Sequence, residues 1–237
     1  MKALFTSIVL CSSLLAQAPA SKSAATHVAH RAVARPSLMN PASLRAKAPE
    51  VFQAQFMTTK GDFVVEVHRD WSPHGADRFY NLVKAGFFDG VAFYRVHPGF
   101  MVQFGISPKP AINKVWDNAN IPDDPVMGSN KRGFVTFAMT QNPNSRSTQV
   151  FINFGDNAFL DPQRFAPFGQ VTSGMDVVDM LYSGYGEIPE MNGKGPEPDK
   201  IESEGDAYLV KNFPMIDKIK MAKVLPAAPA AAPADKK

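Results

Sequence analysis

From residue 51 onward, short runs rich in aromatic and β-branched residues are separated by polar or Gly/Pro-containing breaks. Val51–Met57 and Asp62–His68 flank the turn Lys60-Gly61-Asp62 and predict a β-hairpin. The apolar spacing then changes. Ser72 and Pro73 supply an N-cap and a proline at the first helical position, Ala76, Phe79, Leu82 and Val83 recur at helical intervals, and Gly86 marks a stop. Four further strands are expected over 91–96, 100–106, 133–139 and 149–154. A second helix is expected from Ser173, where Ser-Gly-Met-Asp resembles a capping box, carrying Val177, Val178 and Leu181 inward and ending at Gly184. Two stretches, 107–131 and 183–200, lack such periodicity, and long connections in compact domains are usually functional or mobile. Ile201, Tyr208, Leu209 and Phe213 fit one side of a helix, and 217–225 reads as a last strand.

Composition limits where the folded unit can lie. The 237 residues are 45% apolar and 20% charged, which is ordinary for a globular protein. Residues 1–49 contain no acid, and Ala/Pro low complexity resumes after Leu225, so a domain is expected over 51–225, with flexible segments at 21–50 and 226–237. The formal net charge of +3 conceals an uneven distribution. Lys2, Lys22, Arg31, Arg35, Arg45 and Lys47 all precede Glu50, which leaves 19 basic against 22 acidic residues from Glu50 onward. A nucleic-acid binder concentrates positive charge on its folded domain, so that class of partner is not expected.

Residues 1–20 read as an export signal. Met1-Lys2 gives a positive start, Ala3–Leu15 an apolar stretch, and Ala16-Gln17-Ala18 or Ala18-Pro19-Ala20 a small-residue cleavage pattern. The apolar stretch is short for a bilayer span, so no stable span is expected once the leader is removed. The competing readings are an uncleaved membrane anchor and an organelle transit peptide. Cys11 is the only cysteine, and its loss with the leader would exclude thiol chemistry and cysteine metal sites.

The candidate chemistry lies in the middle of the chain. Phe93-Tyr-Arg-Val-His-Pro-Gly-Phe-Met-Val-Gln-Phe-Gly105 places a single cation, Arg95, on an otherwise apolar strand pair, followed by Phe100, Met101 and Gln103. Further on come Phe137-Ala-Met-Thr-Gln-Asn-Pro-Asn-Ser-Arg-Ser-Thr-Gln-Val-Phe-Ile-Asn153, Asp156-Asn-Ala-Phe-Leu-Asp161 and Pro167-Phe-Gly-Gln-Val171. From about Val51 to Val171 this pattern resembles the cyclophilin-type peptidyl-prolyl cis-trans isomerases. The resemblance implies a mainly β fold: an eight-stranded antiparallel closed barrel capped by two α-helices, here with an extra helical insertion near the C-terminus. It also implies an outer groove that binds Xaa-Pro segments of peptides and folding proteins, a monomer, and no cofactor or metal.

By the same resemblance, Arg95 and Gln103 are the catalytic residues. Phe100, Met101, Phe151, Phe159, Leu160 and Phe165 would line the proline pocket, while Met139 and Thr140 would offer main-chain groups to the peptide. The chain departs from the family pattern in several places. Tyr94 replaces a histidine, Phe104 a common glycine, and Phe159 the tryptophan associated with cyclosporin binding. The loop Pro162–Pro167 carries an extra residue, so either Phe165 or Arg164 matches the usual pocket histidine, with Phe165 the more natural apolar wall. On the residues alone, Arg95 could instead be an edge arginine paired with a carboxylate. His68, His74 and His97 form no metal or triad pattern. Asp123-Asp124 reads as solvated or capping rather than as a cation site. The competing function is a catalytically weak peptide-binding or scaffold module, since fold alone does not settle activity.

Overall fold

A computed structural model of the chain describes residues 35–226. The expected leader, the residues of the expected tether up to 34, Cys11 and the tail from 227 lie outside the described residues.

The hairpin forms from β1 (Val51–Thr58) and β2 (Asp62–His68), paired antiparallel with Phe56 opposite Phe63 and Ala54 opposite Val65. Alternate side chains point inward in both strands, so Phe52, Ala54, Phe56, Phe63, Val65 and Val67 are buried. Helix α1 (Pro73–Ala85) buries Ala76, Phe79, Leu82 and Val83 against this face and ends at Gly86, as its spacing predicts. The remaining strands are β3 (Arg95–His97), β4 (Met101–Phe104), β5 (Phe134–Phe137), β6 (Val150–Asn153), β7 (Pro167–Ser173) and β8 (Ile219–Val224). All eight join one antiparallel sheet in the order β3-β4-β6-β5-β7-β2-β1-β8. Its interior is largely aromatic: Phe56, Phe79, Phe88, Phe104, Phe137 and Phe168 are wholly buried, and fully burying each contributes ~1.5–3 kcal/mol.

Closure is narrower than a continuous ladder. The edges meet through an isolated bridge between Ala92 and Lys218, reinforced by Phe93 N–H to Asp217 O and Ile219 N–H to Val91 O. Consequently the strand expected over 91–96 is divided: its first half makes the seam and only Arg95–His97 pairs with β4.

The second expected helix is also shorter than its pattern. Ser173 ends β7, and the helix α3 spans only Met175–Asp179. Gly174 turns the chain at φ +78°, where a Cβ would lie 2.4 Å from Asp62 O, and beyond the helix the Asp217 carboxylate accepts the Tyr182 N–H. The connection 107–131 contains a helix that the pattern did not predict, α2 (Pro110–Trp116). Near the C-terminus the expected single helix is two, α4 (Pro198–Glu204) and α5 (Asp206–Asn212). They break at Gly205, where a Cβ would lie 2.3 Å from Pro108 O. Ile201, Tyr208 and Leu209 are nevertheless buried together, with Phe213 beside them, against Ala92, Tyr94 and Ile106 of the barrel wall.

Residues 35–50, read as the end of a flexible tether, instead lie along the barrel. Ala46 exchanges two hydrogen bonds with the Asn81 side chain, Ala48 N–H donates to Asp77, and the Trp116 indole N–H donates to Leu38 O at 2.8 Å. Apolar Ala48, Leu38 and Leu44 pack onto the same core, which a polar composition average over the segment does not reveal.

Candidate active site

The β3-β4-β6 ladder sorts its side chains onto two faces. Val96, Val102, Phe104, Val150 and Ile152 enter the core. Their neighbours Arg95, Met101, Gln103 and Phe151 therefore share the outer face, with Arg95 opposite Gln103 and Gln103 opposite Phe151. Strand register alone brings the cation beside the apolar patch.

That patch has a floor of Met101, Phe151 and Leu160, all buried, and a rim of Phe100, Ala138 and Phe165. Leu160 arrives from a 3-10 turn over Ala158–Gln163, after which Arg164 takes φ +73° and turns outward toward Asp123 and Gln141 O. This leaves Phe165 edge-on to Phe151, with ring centroids 5.8 Å apart. Phe159 is 56% exposed and stacks on Phe100. Met139 and Thr140 do not join the patch. They line an adjoining cavity of about 360 Å³ together with Gln103, Thr148 and Gln149. The Thr140 N–H is already donated to Ser145 Oγ.

A hydrogen-bonded row crosses the outer face. Arg95 Nη1 donates to Gln103 Oε1 at 3.0 Å, Gln103 Nε2 donates to Gln149 Oε1 at 3.0 Å, and the Tyr94 hydroxyl donates to the same oxygen at 2.6 Å. Burial pushes the Tyr94 phenol well above its ordinary value, so it stays a neutral donor. The other side of Arg95 is held by Glu187, whose carboxylate takes both Nε–H and an Nη2–H. Burial alone would raise the Glu187 carboxyl. The Arg95 hydrogen bond, the Ile188 N–H and the charges of Arg95 and His97 outweigh it and hold the group below its ordinary value. Arg95 is thus both things its sequence context allowed, a carboxylate-paired arginine and a cation at the patch; its guanidinium carbon lies 5.8 Å from the Phe100 ring.

The walls rest on buried amides. Asn157 Nδ2 donates to Phe100 O and Asn153 Oδ1, while Asn130 Nδ2 donates to Asp161 Oδ1 and Phe165 O. These groups tie three separate segments to one geometry. Sequence reasoning named none of them as site residues, nor Gln149 or Glu187. Gln149 lay within the segment already singled out, where its position two residues before Phe151, on the same face, was a usable signal. Glu187 is 92 residues from Arg95 in a Gly/Pro-rich stretch and carried no local signal. Among the described residues there is no group of three or more His, Cys, Asp or Glu arranged to hold a metal ion.

Residues 53–204 match the family model described as cyclophilin type peptidyl-prolyl cis-trans isomerase/CLD. The chain belongs to the cyclophilin family. A probable peptidyl-prolyl cis-trans isomerase of Brucella abortus (strain 2308) is 40% identical over 151 residues, covering 60% of this chain and 75% of the relative. Peptidyl-prolyl cis-trans isomerase B of Escherichia coli K12 is 34% identical over 134 residues, covering 53% and 81%. Among solved structures, a cyclophilin type isomerase of Cryptosporidium parvum superposes with a TM-score of 0.54 at 17% identity, over 75% of this chain and 99% of that one. That likeness carries the cyclophilin fold. The family match ends with α4, at Glu204, so α5 and β8 lie outside it.

Proposed function

We propose that this cyclophilin accelerates cis-trans rotation about Xaa-Pro bonds in peptides and folding proteins, acting as a monomer without cofactor or metal. The observation that carries this reading is a guanidinium fixed beside an apolar slot with donors to spare. Amide resonance sets a barrier of ~18–20 kcal/mol, and prolyl bonds exchange over roughly tens to hundreds of seconds. A catalyst has to favour the twisted amide, in which conjugation is lost and the prolyl nitrogen gains a lone pair, over either planar form. Met101, Phe151 and Leu160 hold the proline ring while the preceding residue turns. Arg95 donates to the nitrogen as it pyramidalises, and the Gln103 and Gln149 amides steer the substrate carbonyls.

The test is isomerisation of a proline tetrapeptide by wild type and Arg95→Ala. A group that stabilises charge only in the transition state is worth about 10²–10³ in rate, so a loss of that order is expected. Equal rates would remove the assignment.

The location proposed is outside the cytoplasm, through a cleaved leader. Its support is the positive start, the compact apolar run Ala3–Leu15 and the Ala18-Pro19-Ala20 pattern. Mass analysis of the mature N-terminus is expected to find Ser21 first, and an intact Met1 on exported protein would overturn it. The acidic excess from Glu50 onward supports peptide rather than nucleic-acid partners.

A further inference from the structure

Glu187 stands in the segment between α3 and α4, and it reaches Arg95 from outside the barrel. Only one-seventh of the Arg95 side chain and less than one-fifth of the Glu187 side chain are exposed. The carboxylate is itself fixed, since the Ile188 N–H donates to its Oε1 at 2.8 Å and the Gly195 N–H donates to Glu187 O at 2.8 Å. The segment is anchored in turn by Ile188 and Tyr185 packing on the cluster of Tyr94, Ile201, Tyr208 and Leu209.

Counting N–H groups shows what this contact does. A guanidinium has five. Glu187 takes Nε–H and one N–H of Nη2, and Gln103 takes one N–H of Nη1. One N–H on each terminal nitrogen is left uncommitted among the described residues. Glu187 therefore occupies the side edge of the fork and leaves donors on both terminal nitrogens. It also leaves the slot alone: the cluster that anchors its segment shares no residue with the cluster that forms the slot. A strap that shut the site would cover the slot or consume all four terminal N–H groups, whereas this contact takes one of them and leaves the slot open.

We propose that Glu187 is a positioning residue for prolyl isomerisation, fixing the plane of the Arg95 guanidinium so that its terminal N–H groups meet the twisted amide. The proposal rests on the isomerase reading above. Bidentate pairing constrains a guanidinium in both direction and plane, which a single hydrogen bond does not. Without it the four-bond side chain is tethered only through Gln103, and misplacement of a catalytic group by about 1 Å can cost 10²-fold.

The test compares wild type, Arg95→Ala, Glu187→Ala, Glu187→Gln and the Arg95→Ala/Glu187→Ala pair on a chromogenic proline tetrapeptide. Glu187→Ala is expected to lower kcat about tenfold with KM within about twofold, because the slot is intact. Glu187→Gln keeps one acceptor and should fall between. In the Arg95→Ala background the second substitution should change nothing, since its effect passes through the guanidinium. Side-chain NMR supplies a readout that folding alone would not move: an Arg95 Nε–H that exchanges slowly in wild type, faster in Glu187→Gln, which keeps one acceptor, and is lost in Glu187→Ala. If Glu187→Ala does not fold, Glu187→Gln with this signal decides the question. Unchanged or faster kcat in folded Glu187 variants, while Arg95→Ala is impaired, would overturn the positioning role. An unimpaired Arg95→Ala would overturn the isomerase reading instead.

Discussion

At the scale of single residues, the outer face depends on neutral amides used as connectors. Gln103 accepts from Arg95 and donates to Gln149, so its orientation is set at both ends while one Nε2–H stays available. Gln149 accepts twice at one oxygen, from Gln103 and Tyr94, and keeps its Nε2 uncommitted among the described residues. Tyr94 stands where a histidine is usual, and burial keeps its phenol neutral, so this end of the row carries no charge. The only ion pair in the row is therefore the one at its far end, between Arg95 and Glu187. An uncharged connector passes orientation from residue to residue without competing for the cation, which suits a site that must present positive charge to a neutral amide.

At the scale of elements, the start of α1 is held by a residue from another part of the chain. Ser72 occupies the N-cap position, but its side chain makes no capping bond. The Asp124 carboxylate supplies it instead, accepting from His74 N–H at 3.0 Å and Gly75 N–H at 2.9 Å, from the Ser72 hydroxyl, and from Arg146 Nη2 at 2.9 Å. The capping reading of Asp123-Asp124 thus holds for Asp124. Burial pushes this carboxyl up, yet the Ser72 hydroxyl, the two helix N–H groups and Arg146 together bring it below its ordinary value. A depressed folded value means stability that is present above the unfolded value of about 3.9 and lost as pH falls through the folded one. Asp124→Asn removes the nearer counter-charge of Arg146, 2% exposed, and leaves Asp123 at 3.8 Å from its Nε; loss of one partner of a buried pair costs about 3–5 kcal/mol. Urea unfolding at pH 7 should show a loss near the lower figure, because Pro122 O still accepts from Arg146. Below about pH 4 the gap to wild type should narrow. A gap that stays constant from pH 7 to pH 3 would mean the charge of Asp124 contributes nothing to stability.

At the scale of the whole molecule, what could be read from the sequence divides by distance along the chain. The hairpin, α1 and the outer-face pairing of Arg95 with Gln103 follow from local periodicity and strand register. The short α3, the break at Gly205, Asp124 on α1 and Glu187 on Arg95 depend on contacts between distant segments, which no local window contains. Residues 35–49 are the largest case, since their Ala/Pro/Ser content argued for a tether while their contacts are those of a strap. A leader cut after Ala20 would leave this strap on the mature protein. Deleting residues 1–49 should therefore destabilise the domain. It strips Ala46 from Asn81, 5% exposed, which keeps only Asp77 O, and Leu38 O from the Trp116 indole, and it uncovers apolar surface that Leu38, Leu44 and Ala48 now shield. Each lost hydrogen bond is worth about 1 kcal/mol, and four bonds, to Asn81 (two), Asp77 and Trp116, are removed. A loss of about 4 kcal/mol is large against the ~5–15 kcal/mol that holds a domain together. Denaturant unfolding of chains beginning at Ser21 and at Glu50 measures it. Midpoints equivalent to within about 0.5 kcal/mol would place residues 35–49 outside the cooperative unit, and a clear drop would make the strap part of the barrel's fold.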